Sequence, residues 1–329
     1  MQNSETPVKP NRFVRSRRLH NVIDAVGNTP LLRLKQVASS APDVEVFVKL
    51  EFCNPGGSVK DRPAKRMVED AIADGRLTDD KILIDATSGN TGVAYALMGA
   101  ALGFRVNLVM PRNVSKARKD ITQAYGAELI HSSPMEGSDG AIRLVRELVE
   151  KHPDKYFYPD QYSNPSNPLA HYHGTGSEIL EVLGDRLSAF VTALGTSGTA
   201  MGTTRRLKDF AKEPGGRNIR CVAVEPAEAL HGLEGLKHMA SSIVPNIYDP
   251  TLPDEIMPVG TEDGWDMAER VAAEEGLFIG HSTGANIFAA VKIAEQLQAS
   301  QGGGCVVTIA CDRSDRYFAP MKWEKRYVW

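Results

Sequence analysis

Apolar and polar positions follow two different periods along the chain. Apolar runs of strand length, many of them rich in β-branched residues, occur at 44–51, 81–86, 105–111, 127–132, 188–195, 219–226 and 304–312. Stretches with the apolar spacing of helices occur at 63–75, 92–103, 115–126, 138–153, 261–276 and 284–300. Alternating strands and helices predict parallel strands joined by helical crossovers, and continuous apolar strands predict sheets that are buried on both faces. The predicted fold class is therefore α/β.

The length of 329 residues is comfortable for two packed lobes with a ligand between them. The Pro- and Asn-rich stretch "YSNPSNPLAHYHG" at 162–174 is typical of a chain crossing from one lobe to the other. The predicted start of the helix at 115–126 has Ser115 as its cap.

Composition excludes several classes of protein. The formal net charge of -3 gives no basic field for nucleic acid, and no apolar run is long enough for a membrane helix. The first twenty residues lack the apolar core of a signal peptide. The four cysteines are scattered without a CxxC pair, so neither a metal site nor a disulfide framework is predicted, and a reducing cytoplasm is the expected location.

Three glycine-bearing turns stand where a helix should begin. They are "ATSGNTGVAYA" at 86–96, "LGTSGTAMGTTRRLK" at 194–208 and "GHSTGANIFAAV" at 280–291. Glycine permits close approach to the backbone, and the unpaired N–H groups and the dipole of a helix N-terminus favour an anion. Plain helix capping by Ser, Thr or Asn is the better explanation of one such turn alone, but three in one chain favour a phosphorylated ligand.

The stretch "NPGGSVKDR" at 54–62 places Lys60 close to a further glycine turn. This lysine could bind a phosphate, form a covalent bond or lie in solvent. It follows Val59 rather than glycine, so it does not complete a Walker loop, and Gly195 and Gly198 do not have dinucleotide-binding spacing. Pyridoxal 5'-phosphate combines a phosphate with an aldehyde that a lysine captures as a Schiff base, so it would use both features.

Several motifs in order resemble the cysteine synthase and cystathionine β-synthase family of fold-type II pyridoxal-phosphate enzymes. They are "NPGGSVKDR", "TSGNTG", "DQYSNPSNPLAHYHGTG", "GTSGTAMGTTRRLK" and "HGLEGLKHM", and the resemblance covers about residues 20 to 320. The branch that the chain resembles most is that of the cysteine synthase B-type proteins. The resemblance implies a two-lobed, tryptophan synthase β-like fold in which each lobe is an open, mostly parallel sheet flanked by helices.

The resemblance also assigns residues to the cofactor and the substrate. Lys60 would form the Schiff base and move the substrate's Cα proton, Asn90 would contact the cofactor's ring hydroxyl, and Ser282 would hydrogen-bond its pyridine nitrogen. The residues implied for the cofactor phosphate are Gly195, Thr196, Ser197, Gly198 and Thr199. The residues implied for the substrate's α-carboxylate are Thr87, Ser88, Thr91 and Gln161.

Two positions depart from the family pattern, and a third bears on the leaving group. His281 stands where the family usually has an aliphatic residue; it either packs or adds a titratable group near the cofactor. Ser177 replaces a usual proline, which we expect to affect only a helix start. Lys237 stands where some relatives use a basic residue to bind O-phosphoserine, although a lysine on an exposed helical turn is an equally ordinary interpretation.

The function implied by the resemblance is β-replacement that forms L-cysteine from an activated serine and a sulfur donor. O-acetylserine is the expected substrate, and O-phosphoserine is an alternative. Cystathionine β-synthase, dehydratase or another β-replacement activity on the same core stays open, as does a cofactor-binding scaffold without catalysis. The family also implies a homodimer, and the aromatic tail "MKWEKRYVW" at 321–329 favours a covered surface.

The predicted organisation has three parts. A basic N-terminal arm occupies 1–20, and a smaller, mobile lobe spans 54–165. The larger, cofactor-binding lobe combines 21–53 with 166–329.

Overall fold

The computed structural model describes residues 19–316 apart from Ser88 and Ser115, and it does not describe the side chains of Ala117, Ser138 and Arg316. Most of the predicted N-terminal arm, the predicted cap Ser115, the predicted carboxylate ligand Ser88 and the aromatic tail therefore lie outside the described residues.

Ten strands and nine α-helices are formed within the described residues. The strands are β1 Leu31–Leu34, β2 Val44–Leu50, β3 Ile82–Ala86, β4 Arg105–Pro111, β5 Glu128–Ser132, β6 Tyr156–Phe157, β7 Ala189–Ala193, β8 Arg220–Pro226, β9 Glu255–Val259 and β10 Gly304–Ala310. The helices are α1 Asp61–Ala73, α2 Asn90–Leu102, α3 Lys116–Ala124, α4 Gly137–Lys151, α5 Ser166–Ala170, α6 Ser177–Leu183, α7 Gly198–Phe210, α8 Thr261–Glu275 and α9 His281–Gln301.

The strands form two sheets. The larger sheet has the order β1-β2-β10-β7-β8-β9 and the smaller one the order β5-β4-β3-β6. All pairs are parallel except β1 with β2. The predicted α/β class with two mostly parallel sheets is thus confirmed. The lobe boundaries and the mobility of the smaller lobe remain predictions.

Each sheet has apolar contacts on both of its faces. Helices α8 and α9 cover one face of the larger sheet, while α6 and α7 cover the other. Helices α1 and α2 pack on one face of the smaller sheet, and α4 packs on the opposite face. The continuous apolar strands of the sequence reflect this double burial.

The segment predicted as a crossing is partly helical. It connects β6 of the smaller sheet to β7 of the larger one, as expected, but α5, a π-helix at His171–Gly176 and α6 follow one another without a break. Ser177 allows this continuity because its backbone N–H donates to the carbonyl of Gly174, a bond that proline cannot make. Its effect is therefore on a helix junction, which agrees with the expectation for this position.

Within the described part of the chain, no helix combines the length and the apolar character needed to cross a bilayer.

Candidate active site

Two adjoining cavities lie between the carboxyl ends of the two sheets. The larger has a volume of about 530 Å³ and the smaller about 50 Å³. Lys60, Asn90, Gly195 and Thr196 line both of them. Ligands of open α/β sheets bind at this edge, where the strands give way to turns and helices.

Lys60 immediately precedes α1 and is held by contacts on both sides of its turn. Its backbone N–H donates to Oγ of Ser58 at 3.2 Å. The N–H of Val59 donates to the carbonyl of Cys311 at 2.8 Å, and Ser58 forms a bridge with Asp312, so the turn is fixed to the end of β10. The side chain is half-buried and reaches both cavities, which excludes a lysine that lies only in solvent.

The turn at Gly195–Thr199 connects β7 to α7 and is built for close approach. Ser197 has a φ of 75°, in the left-handed region that non-glycine residues seldom adopt. A Cβ on Gly195 would collide with the carbonyl oxygen of Gly235, and one on Gly198 would collide with the side chain of Asn167. The two glycines are therefore required because no side chain fits at either position.

This turn fits a phosphate group. Among the described residues, the hydroxyl oxygen of Ser197 is buried without a hydrogen-bond partner. The turn also presents the N-terminus of α7, a helix of 13 residues whose dipole favours an anion. Because a buried hydroxyl without a partner costs free energy, a phosphate at this turn would supply what the hydroxyl lacks.

Two side chains behind the turn hold its threonines. Nδ2 of Asn167 donates to Oγ1 of Thr196 at 3.2 Å. Nε2 of His171 lies 3.3 Å from Oγ1 of Thr199, and Nδ1 of His171 lies 2.9 Å from Oγ1 of Thr175. Burial, helped by the charge of Arg62, lowers the pKa of His171 to about 3, so its ring is neutral at physiological pH.

The opposite wall of the larger cavity comes from the turn after β3 and from the crossing segment. Thr87, Thr91 and Gln161 all line it. Oγ1 of Thr91 donates to Oε1 of Gln161 at 2.9 Å. Hydroxyl and amide groups grouped at the N-terminus of α2 suit a carboxylate.

Asn90 and Ser282 belong to the N-termini of α2 and α9. Nδ2 of Asn90 donates to Oδ2 of Asp312 at 2.6 Å. Ser282 is buried and lines the smaller cavity together with Lys60, Ser197 and Thr199. The structure thus brings the predicted cofactor residues from four separate helix starts, those of α1, α2, α7 and α9, to one place.

Lys237 lines the larger cavity from a loop, so its interpretation as part of an exposed helical turn is wrong. Its backbone N–H donates to the carbonyl of Leu194 at 2.8 Å, next to the phosphate turn. Its Nζ lies 5.2 Å from the centroid of the Tyr162 ring. Burial lowers the pKa of Lys237, and the nearby carboxylate of Asp139 partly opposes this effect.

Three residues that complete this region were not predicted from the sequence. Asp312 contacts Asn90, His171 contacts Thr199, and Asn167 contacts Thr196. Asp312 had a usable signal, since it is a polar residue just beyond the carboxyl end of a buried strand. His171 and Asn167 lie in the helical part of the crossing segment, and no local pattern marks them.

Comparison with known proteins decides the family. A family model described as pyridoxal-phosphate dependent enzyme matches residues 22–312. The chain belongs to the pyridoxal-phosphate dependent enzyme family. Its cofactor is pyridoxal 5'-phosphate, and the turn at Gly195–Thr199 together with Lys60 fits the phosphate and the aldehyde of that cofactor.

Similar members of this family carry cysteine synthase names. A cysteine synthase of Aquifex aeolicus is 48% identical over 298 residues, which is 90% of each chain. A cysteine synthase B of Pseudomonas aeruginosa is 38% identical over 305 residues, 93% of this chain and 98% of the relative. The resemblance found from the motifs is therefore confirmed.

Solved structures give the same fold. A cysteine synthase (OASS) of Entamoeba histolytica superposes with a TM-score of 0.86 at 37% identity, covering 97% of this chain and 93% of that one. An O-acetylserine dependent cystathionine β-synthase of Helicobacter pylori superposes with a TM-score of 0.82 at 33% identity, covering 94% and 100%.

Proposed function

We propose that this chain is a cysteine synthase that forms L-cysteine from an activated serine and a sulfur donor by β-replacement. The observation that carries the proposal is that Lys60 reaches a cavity with a phosphate-type turn on one side and a carboxylate-type wall on the other. The names of its relatives, cysteine synthase and cysteine synthase B, support the same activity. O-acetylserine is the proposed substrate, and O-phosphoserine is a second one.

Lys60 has two proposed tasks. When bound, pyridoxal 5'-phosphate withdraws electrons from the substrate's α-carbon, which allows the Cα proton and then the β-substituent to leave. Lys60 holds the cofactor before the substrate arrives; once freed, its amine takes the Cα proton and later returns it to the product. Its position at the junction of the two cavities lets one side chain serve both tasks.

The substrate is oriented by the opposite wall. Thr87, Thr91 and Gln161 are the proposed ligands of its α-carboxylate, together with Ser88. Gripping the carboxylate at the N-terminus of α2 directs the amino group and Cα towards Lys60. Such orientation of a reacting group can lower an activation barrier by on the order of 7–11 kcal/mol at most.

The remaining cofactor contacts are proposed for Asn90 and Ser282. Asn90 would turn towards the ring hydroxyl, and Ser282 would hydrogen-bond the pyridine nitrogen without contributing a charge. As a neutral partner, the Ser282 hydroxyl would not hold the ring nitrogen protonated, which would suit loss of the β-substituent. Gly195, Thr196, Ser197, Gly198 and Thr199 would bind the phosphate.

The test is product analysis. Purified protein loaded with cofactor is mixed with O-acetylserine, O-phosphoserine or serine, each with sulfide, with homocysteine or without a nucleophile. We expect L-cysteine from O-acetylserine and sulfide as the fastest reaction. An unchanged cofactor spectrum with every amino acid would contradict the proposal and leave only a cofactor-binding scaffold.

Cystathionine β-synthase is the second candidate function. The similarity to the Helicobacter pylori structure favours it, since that protein is described as O-acetylserine dependent. In the same experiment, faster formation of cystathionine from homocysteine than of cysteine from sulfide would decide for this alternative. Release of pyruvate without a nucleophile would indicate a dehydratase.

A homodimer and a cytoplasmic location are part of the proposal. The four cysteines are all free, which suits a reducing compartment. We expect the mass of a dimer in sedimentation velocity at micromolar concentration, and a monomeric mass would reject the dimer.

A further inference from the structure

A buried cluster of two acids and two bases lies directly beside the Lys60 turn. The Arg62 guanidinium pairs with both carboxylates: Nε and Nη2 donate to Glu51 at 2.6 and 2.8 Å, while Nη1 and Nη2 donate to Glu178 at 2.7 and 2.8 Å. Nζ of Lys49 pairs with Glu178 at 2.7 Å. We call Lys49, Glu51, Arg62 and Glu178 the charge cluster.

The charge cluster is almost closed to solvent. The side chains of Lys49, Glu51 and Arg62 are 1%, 0% and 4% exposed, and that of Glu178 is 16% exposed. Burial acts to raise the pKa of both carboxyl groups, but the charge and hydrogen bonds of Arg62 outweigh it; the pKa of Glu51 is lowered, and that of Glu178 falls to about 2. Both carboxyl groups are therefore ionised at neutral pH, and the Arg62 guanidinium lies between them.

The cluster encloses the Lys60 turn from both ends. Glu51 precedes the turn and Arg62 follows it, in the first turn of α1. Inside the turn, Nδ2 of Asn54 donates to Oε2 of Glu51 at 2.9 Å and to the carbonyl of Ser58 at 3.2 Å. Arg62 is two residues from Lys60 along the chain, so the ion pairs of Arg62 fix the backbone next to the lysine.

The same guanidinium reaches the phosphate turn through the π-helix. A Cβ on Gly174 would lie 2.8 Å from Nη1 of Arg62, so the π-helix packs directly against the cluster. His171 of the same π-helix contacts Thr199, and Glu178 lies in the helix that follows. Arg62 thus contacts both the segment next to Lys60, the proposed covalent ligand of the cofactor, and the π-helix that packs on the proposed phosphate-binding turn.

We propose that Arg62 is a positioning residue: through Glu51 and Glu178 it fixes the separation between Lys60 and the phosphate-binding turn. The inference rests on the proposed function of Lys60. In this role the charge cluster keeps Lys60 within reach of the cofactor aldehyde while the cofactor phosphate is bound at its turn. Such a reaction tolerates little displacement of the lysine.

Net stability alone is a poor explanation for such a cluster. Desolvation of buried ion pairs offsets most of their attraction, and well-packed apolar residues of similar volume often stabilise a fold as much. Apolar side chains, however, make no directional contacts that could fix the relative orientation of chain segments. A planar guanidinium with two carboxylates in fixed geometry sets the orientation of three chain segments at once.

The test separates phosphate binding from capture by Lys60. Apoenzyme is titrated with pyridoxal 5'-phosphate and with pyridoxine 5'-phosphate, which has an alcohol in place of the aldehyde. Arg62→Lys keeps the charge but loses the paired geometry. We expect it to weaken pyridoxal 5'-phosphate binding by up to about 100-fold, by analogy with the roughly 10²-fold loss of rate that a misplacement of about 1 Å can cause, and to leave pyridoxine 5'-phosphate binding within about twofold.

Three further variants make the result specific. Arg66→Lys is the matched control, because Arg66 lies on the same helix and pairs with both oxygens of Asp70 at 2.9 and 2.7 Å, yet is partly exposed; it should change neither affinity. Glu178→Gln, at the most exposed member of the cluster, should repeat the selective loss even where Arg62→Lys folds poorly. In a Lys60→Ala background, Arg62→Lys should have no further effect on pyridoxal 5'-phosphate.

The outcomes are distinct. Equal weakening of both compounds, or no weakening of either, would overturn the positioning role while leaving the proposed function intact. Equal affinity of wild-type apoenzyme for both compounds would show that Lys60 does not capture the aldehyde, which would overturn both this inference and the proposed function.

Discussion

The indole ring of Trp265 lies against the imidazole ring of His281, with ring centroids 5.2 Å apart and planes inclined by 40°. Both residues line an outer cavity of about 460 Å³, together with Phe278. Ser282, the next residue, instead lines the smaller cavity of the candidate active site (the inner cavity). Adjacent residues at the start of α9 therefore face opposite sides, and the structure favours the packing interpretation of His281 over a role in the cofactor pocket.

We predict that His281→Leu leaves catalysis nearly unchanged. The leucine restores the aliphatic residue that is usual in the family and keeps an apolar contact with Trp265. Stability measured by thermal unfolding should change by about 1 kcal/mol or less, and kcat/KM for O-acetylserine should stay within about twofold. A shift of the bound cofactor's absorbance or of the pH profile would show that the imidazole acts on the inner cavity.

We predict that Lys60→Ala folds but does not turn over. Loss of a positioned general base commonly costs on the order of 10²–10⁴ in rate, and loss of covalent capture adds to it. Borohydride reduction of wild-type holoenzyme followed by peptide mapping should label Lys60. Lys65→Ala is the control for the variant, since Lys65 is a partly exposed residue of the adjoining helix α1 that pairs with Glu69. A label on any other lysine would refute the assignment.

The two sheets could be predicted from the sequence because most of their strands are buried on both faces. β4 has the predicted bounds, and β2 and β8 differ from theirs by one residue at one end. The strands that were missed have weaker patterns. β1 has four residues and β6 two, while β9 is an edge strand with Pro258 and alternating exposure.

The crossing segment contains helices that were not predicted. Pro and Asn at 162–174 indicated a chain crossing between the lobes, but Pro165 also caps α5 and Pro168 lies in its first turn, where proline needs no hydrogen bond. Oδ1 of Asn164 accepts the N–H of Ser166 at 2.9 Å and so starts the helix. The same residue types that end helices also begin them.

The glycine turns of the site could be found because each is local, whereas the contacts between them could not. Asn90 and Asp312 are 222 residues apart in sequence, and Arg62 and Glu178 are 116 apart. Their pairing depends on how the two sheets are arranged. The motif "NPGGSVKDR" indicated the role of Lys60. Nothing in the motif indicated that Arg62, its last residue, is buried between two carboxylates.

We predict that the free energy of unfolding falls as the pH rises, because Asp85 holds a proton in the folded state. Asp85 is fully buried in β3, two residues before Thr87, and burial, with a smaller contribution from Asp160, raises its pKa to about 8. An unfolded chain releases this proton near pH 3.9. The folded state therefore holds a proton that the unfolded state lacks, and the resulting stability is complete below about pH 4 and lost as the pH rises through about 8.

Asp85→Asn measures this effect directly. The amide keeps the shape of the protonated acid and does not ionise. Denaturant unfolding between pH 6 and 8 should show a slope in the wild type, up to about 1.4 kcal/mol per pH unit, that is flatter in the variant by that contribution. Identical slopes in both proteins would mean that Asp85 does not hold the proton.

The last prediction concerns the leaving group. Lys237 is half-buried and lines the larger cavity, with its Nζ near the ring of Tyr162, which lines the same cavity. As a point charge it can meet a dianionic phosphate without the two-point contact of arginine. A partly solvated contact of this kind is worth roughly 1–3 kcal/mol, or about 5- to 150-fold.

Lys237→Ala should lower kcat/KM for O-phosphoserine within that range and hardly change it for O-acetylserine, whereas Lys237→Arg should raise O-phosphoserine use. Equal losses on both substrates would show that Lys237 supports the loop after Leu194 instead, and no O-phosphoserine reaction in the wild type would remove the role altogether.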